Sequence, residues 1–258
     1  MATRSDFTKF AFVIRKLTYL FIFLFCLNGF AQEHDTENGN TVMRRDYLGG
    51  LNFNANAGAT GWGVAFEYGV QKTYKYRKTF GFLFTNIRHP KEFKIYSLFS
   101  NSRGYYFGKL NSLVSLRPLY GGKLILFPAK RENGIEITAK WAVGPSLGLL
   151  KPVYLRIDKS NNSTTDERYD PSIHNLENIT SRSSWTTGLG EAQFKVGVFA
   201  KAGFDFNFST TKNKISGGEI GVMTDYFIGE PLVLLYDNAG NNLFASLYLQ
   251  FNLGQKLY

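Results

Sequence analysis

The chain has a single cysteine, Cys26, and it falls within the first thirty-one residues. Everything downstream can therefore form neither a disulfide nor a thiolate metal site. Long apolar runs are missing as well. Beyond residue 31 none reaches the ~20 residues that a membrane helix requires. If this chain crosses a bilayer it must do so as a closed barrel of strands, the other structure that satisfies its backbone polar groups in lipid. Histidine is scarce, with His34 near the N-terminus and His89 and His174 in loop-like stretches. No stretch presents a helical basic face, so the formal net charge of +10 does not carry the footprint of nucleic-acid binding.

The N-terminus reads as a targeting segment and is set aside from fold reasoning. Arg4, Lys9, Arg15 and Lys16 precede the apolar stretch LTYLFIFLFCLNGF, and Gly29-Phe30-Ala31 is a small-x-small cleavage site. A signal peptide over 1–31, cleaved near Ala31, is expected, followed by a flexible tail over 32–43. Phe25 ahead of Cys26 is too large for a lipoprotein signal. The leader carries four bases and one acid, so its removal lowers the net charge from +10 to +7. Export without disulfides suits a Gram-negative envelope better than a disulfide-stapled secreted domain.

From residue 44 onward one pattern repeats. LFASLYLQFNLG places Leu243, Ala245, Leu247, Leu249, Phe251 and Leu253 on one face, with Ser246, Gln250 and Asn252 on the other. A two-residue period of this kind is a strand with two unlike faces. It recurs with Leu51 and Phe53; with Trp62, Val64, Phe66 and Tyr68; with Phe80, Phe82 and Phe84; and with Leu116, Tyr120, Leu124 and Leu126. Three further runs contain Ile137, Trp141 and Val143; Val196, Val198, Phe204 and Phe206; and Ile220, Val222 and Tyr226. These make eight strands, or ten if 93–99 and 104–110 pair within the wall.

The apolar faces carry no charge. The opposite faces carry Arg117, Lys123, Lys140, Lys195 and Lys201 against Glu67, Glu136, Asp205, Glu219 and Asp225. Five bases balanced by five acids suit a narrow interior, where charges must be paired. A soluble sandwich would instead scatter its charges over a wet surface. The expected fold is an all-β, eight-stranded antiparallel transmembrane barrel over 44–258, with those ten residues as a lumen charge network. Short hairpins suggest Lys123 with Glu136 and Lys201 with Glu219 as pairs.

The first outward loop, GAT at 58–60, is short, as are the turns back at 72–78, 128–133 and 209–214, whereas the remaining outward loops at 89–111, 151–191 and 230–241 are longer, the asymmetry of outer-membrane barrels. Pro118 and Pro145 fall opposite each other if the turn at 128–133 sets the register. Neither can donate to a ladder, so both are expected at the outer rim, beyond a regular ladder of 119–127 with 134–144.

With the leader, the strands and the C-terminal LYLQFNLGQKLY ending in Tyr258, the chain resembles the small outer-membrane β-barrels of the OmpX type. NIRHPKE, YYFGKLNSL, GPSLGLLKPVYL and VGVFAKAG are likewise similar to envelope barrel proteins. The resemblance implies fold, an outer-membrane location and assembly by the barrel-assembly machinery. It implies no activity.

Some barrels of this size act on lipid A through a His-Ser pair and an acidic residue. In YDPSIHNLE, Ser172, His174, Asp170 and Glu177 supply those residue types, but the local spacing alone makes no site. The tract SNNSTTDERYD reads as a polar loop top. In the loop at 88–109, Arg88, Lys91, Lys94, Arg103 and Lys109 are interleaved with aromatics, a pattern suited to lipopolysaccharide phosphates at the interface. Lys72, Lys75, Arg77 and Lys78 crowd the first short turn and suit anionic headgroups. The expected protein is a non-enzymatic, monomeric barrel with a side-chain-filled lumen. It needs no cofactor or metal, and membrane lipid and lipopolysaccharide are its partners. The rivals are a narrow porin and a lipid A acyl hydrolase.

Overall fold

The computed structural model describes residues 45–55, 60–97, 103–128, 134–159, 163–208, 213–236 and 239–257. The expected signal peptide, the 32–43 tail and Tyr258 lie outside the described residues. Thirteen strands follow in chain order among those described: β1 (Arg45–Ala55), β2 (Thr60–Gln71), β3 (Tyr76–Arg88), β4 (Lys94–Ile95), β5 (Tyr105–Tyr106), β6 (Asn111–Phe127), β7 (Glu136–Pro152), β8 (Tyr154–Lys159), β9 (Ser163–Arg168), β10 (Ile179–Arg182), β11 (Gln193–Asn207), β12 (Lys214–Phe227) and β13 (Leu243–Leu257).

Eight of them close into an antiparallel barrel in the order β1-β13-β12-β11-β7-β6-β3-β2. Closure is made by the C-terminal strand, which pairs with β1 from Arg45↔Leu257 to Ala55↔Leu247. The segments that could have supplied a ninth and tenth strand do pair, Lys94↔Tyr106 and Ile95↔Tyr105, but as a separate two-stranded sheet outside the wall.

Alternation dictates the two faces. β1 reads exposed-buried without interruption, with Leu51 and Phe53 outward and Asn52 and Asn54 inward. β13 repeats this, with Leu247, Leu249 and Phe251 outward and Ser246, Gln250 and Asn252 inward. Each of the eight strands turns large apolar side chains outward, and half or more of many of them is exposed, as for Leu51 (55%), Phe82 (54%), Val198 (56%) and Val222 (53%). An apolar surface that continues around a whole barrel is untenable in water. It is what a lipid-facing wall requires. The strands run 11 to 17 residues, longer than the ~9–11 needed to cross at a tilt. Aromatic side chains on neighbouring strands meet along this wall: Tyr47 with Tyr68 at 5.0 Å, Phe80 with Tyr120 at 5.2 Å, and Tyr120 with Trp141 at 6.1 Å between ring centres.

The prolines overturn one expectation. The β6–β7 ladder pairs Leu116↔Leu147 and Tyr120↔Val143, so Pro118 does lie opposite Pro145. However, both sit inside 17-residue strands, not at the rim. Pairing stops at 117–119 and resumes on either side. A gap of three pairs is what results when the two ring nitrogens face each other, because that pair then lacks both of its N–H donors. The wall tolerates the gap because each strand has a second, intact neighbour: β6 on β3 and β7 on β11.

Connections at one end are short (72–75, 128–135 and 208–213). At the other end the connection between β1 and β2 is also short, four residues (56–59), whereas the remaining three span 89–110, 153–192 and 228–242. The long loops are structured. β8 pairs with β9 and β10 in a three-stranded sheet, so the tract expected as a polar loop top instead supplies β9. Tyr105, Leu155, Ile157, Tyr169 and Ile179 form a small apolar core beneath it. The loops are stitched together by backbone bonds from Leu110 N–H to Leu234 O (3.0 Å), from Tyr236 N–H to Gly108 O (2.8 Å) and from Arg182 N–H to Arg103 O (3.3 Å).

Candidate functional site

The inward faces converge on a layered lumen. At the short-loop end Arg77 lies 3.6 Å from Asp46 and 3.5 Å from Glu136, and its Nε donates to Gln71 Oε1 at 2.7 Å. Arg77 was assigned above to the headgroups. Its odd number on β3, alternating with outward Phe80, Phe82 and Phe84, is the sequence signal for an inward position. Lys72 and Lys75 are exposed on the turn, and Lys78 is half-buried.

The middle layer is the densest. Lys140 Nζ stands 2.6 Å from Glu67 and 2.5 Å from Glu219. Lys201 bridges the same two carboxylates at 3.3 and 3.1 Å. Tyr248 donates its hydroxyl to Glu219 Oε1 at 2.6 Å. Lys123 lies 3.5 Å from Asp205 and 4.0 Å from Glu67. Asn252 donates to Asp205 at 3.0 Å, Gln250 to Asn252 at 2.7 Å, and Asn52 to Gln250 at 3.2 Å. Each of these side chains is buried. Every charge has a partner of opposite sign, which a narrow interior demands.

Above it, Arg117 grips Asp225 with two parallel bonds of 2.7 Å. Its guanidinium lies 5.0 Å from the Phe199 ring centre. Ser146 donates to Asp225 at 2.8 Å and is 2.8 Å from Ser115. Beside this polar column Leu83, Leu119, Ala142, Phe199 and Met223 fill the remaining cross-section. At the long-loop end Leu232 and Leu234, from the connection between β12 and β13, pack on Ile87, Leu113, Leu150, Phe227 and Phe244. These seven side chains form one buried apolar cluster.

Of the ten residues expected inside, Glu67, Arg117, Lys123, Lys140, Lys201, Asp205, Glu219 and Asp225 are buried in these layers. Lys201 and Glu219 meet as expected. Lys123 and Glu136 do not: Lys123 sits across from Lys140 in the ladder, and Glu136 is a rim residue held by Arg77. Lys195 is half-buried near the outer end of β11 and joins none of the ion pairs above. Asp46 and Ser115 are also buried inward, missed in the sequence although the parity of β1 and β6 is the signal for both. The burial of Leu232 and Leu234 in the apolar cluster had no sequence signal, because a loop carries no period.

The interleaved loop is partly spent on itself. Lys109 is buried against Glu92 at 2.6 Å, and burial pulls its ammonium below the ordinary lysine value against the pull of Glu92. Arg88 donates to the Tyr106 hydroxyl at 3.2 Å. Lys91, Lys94 and Arg103 are exposed, with the Lys94 ammonium 4.8 Å from the Tyr96 ring centre.

His174 is buried, with Nδ1 accepting the Asp170 N–H at 3.0 Å and Nε2 3.4 Å from Glu167. Ser172 directs its hydroxyl to Asp170 at 2.6 Å, and these bonds hold the Asp170 carboxyl below its usual range. Both ring nitrogens of His174 are therefore occupied by groups other than Ser172. His89 Nδ1 accepts the Lys91 N–H at 3.2 Å.

Closed ladder, apolar exterior and charge-paired interior together define an eight-stranded antiparallel transmembrane β-barrel. No family model matches the chain, and no curated protein matches it. Among solved structures it is similar to Ail, the attachment invasion locus protein of Yersinia pestis, at 10% identity over 83% of this chain and 99% of that one, with a TM-score of 0.40. Neisserial surface protein A matches at 10% identity over 83% and 96%, TM-score 0.35. OprG of Pseudomonas aeruginosa matches at 7% identity over 84% and 96%, TM-score 0.34. The fold assignment rests on the ladder itself.

Proposed function

We propose that this chain is a non-enzymatic integral protein of the Gram-negative outer membrane, built as a solid barrel that carries its structured loops at the cell surface. The observation that carries this is the lumen. Lys140, Lys201, Glu67 and Glu219 occupy its middle as mutually paired ions, and Leu232 and Leu234 close its mouth. A narrow porin would need that cross-section free of side chains. A lipid A hydrolase would need a base free to reach a serine, whereas His174 is engaged on both nitrogens. The work then falls to the loops, with Arg88, Lys91, Lys94 and Arg103 as the contact for lipopolysaccharide phosphates. Lys109 is already committed to Glu92 and serves as their support. The test is binding of purified lipopolysaccharide to the refolded protein. Converting Lys91, Lys94 and Arg103 together to glutamate should weaken binding at least tenfold at low salt, as three lost phosphate attractions imply. Unchanged binding would contradict this role.

A further inference from the structure

The wall itself contains a second feature. Where β3, β6 and β7 run side by side, the outward surface is dented into a groove of about 420 Å³, within the range of roughly 300–1,000 Å³ for small-ligand sites. Its floor is Pro118 and Pro145, flanked by Gly81 and Gly144. Neither glycine can be replaced without moving backbone. A Cβ on Gly81 would fall on the Phe66 carbonyl oxygen, and one on Gly144 on that of Pro118. Aromatic rings, among them Phe66, Phe82 and Tyr120, form the sides.

The floor coincides with the three missing ladder pairs, so neither proline presents an N–H to an occupant. The lining is almost wholly apolar, so a polar ligand would find few partners there, whereas a hydrocarbon chain needs none. The groove is also continuous with the lipid-facing wall on every side. A second barrel offers a convex wall, which cannot fill a concave dent. A single flexible chain can, gaining contacts on three sides where an ordinary boundary lipid has one.

We infer that this groove seats one acyl chain of a bilayer phospholipid at a fixed position across the β6–β7 seam. The inference rests on the transmembrane reading of the barrel. The full chain is reconstituted into vesicles of phosphatidylethanolamine and phosphatidylglycerol that contain a trace of phosphatidylcholine with a mid-chain diazirine. After photolysis, labelled residues are located by peptide mass spectrometry. Label at Phe82, Pro118 and Val143 is expected to exceed that at Val222 and Leu247, on strands outside the groove, about five-fold, from the added contacts. The V143W substitution, which fills the groove, should bring it down to the level of the rest of the wall. Even labelling of all outward residues would overturn the groove and leave the membrane barrel standing. Absence of label from the outward residues would overturn both. Groove label that persists in folded V143W, or copy-to-copy cross-links at these residues in place of lipid adducts, would overturn the inference. The wild-type distribution decides the matter alone should V143W not fold.

Discussion

At the scale of single residues, the lumen works as one multivalent ion cluster. Glu67 faces Lys140, Lys201 and Lys123 at once. Replacing it by Leu leaves three ammonium groups sharing what remains, and removing one partner of a buried pair costs about 3–5 kcal/mol. Glu136 is the contrast. It touches Arg77 at the rim, and Arg77 keeps Asp46 and Gln71 without it, so E136L should cost about 1 kcal/mol or less. Urea titrations of the two variants in vesicles check the order, and equal losses would contradict the layering. Which residues enter the lumen was legible from parity alone, as for Lys140 beside outward Trp141. Which of them pair was not. The β11–β12 hairpin did indicate Lys201 with Glu219, but side chains in a closed lumen also reach across it, as Lys140 of β7 reaches Glu67 of β2, and no hairpin neighbour shows that.

At the scale of elements, the β6–β7 seam is the weak edge of the wall. Restoring both donors in the double variant P118V/P145V should raise stability by about 1 kcal/mol, the net worth of a hydrogen bond or two less the gain in unfolded-chain freedom. A fall in the unfolding midpoint would argue that the nitrogens do not face each other. The facing prolines were legible in the sequence, but their depth was not, since nothing local says that a neighbouring strand will hold the seam. Strands also approach closely at Gly221, where a Cβ would fall on the Ala202 carbonyl oxygen. G221A should lose about 3 kcal/mol to overpacking, read as loss of the heat-modifiable folded band. In the outer sheet, hydrogen bonds from Lys159 and Thr165 hold the Glu167 carboxyl at about 2, below its ordinary 4.5. A depressed carboxyl contributes above its unfolded value and loses that contribution as pH falls toward the folded one. The β8–β9 hairpin should therefore loosen between pH of about 4.5 and about 2, which amide shifts of Lys159 and Glu167 would report.

At the scale of the whole molecule, a transmembrane barrel inverts a soluble protein. Its apolar side chains face outward and its charges are the core. The inversion was legible because eight runs share one period, and within their apolar stretches charge keeps to the opposite face. The apolar cluster at the long-loop end was not, because Leu232 and Leu234 join it only through the fold of their loop. Ion pairs and an apolar plug together leave no continuous aqueous path in this account. Single-channel recording of the refolded, heat-modifiable protein in a planar bilayer tests that most directly. A silent trace is expected at all voltages. Steady, reproducible openings would contradict it and make Lys140, Lys201, Glu67 and Glu219 the lining of a pore.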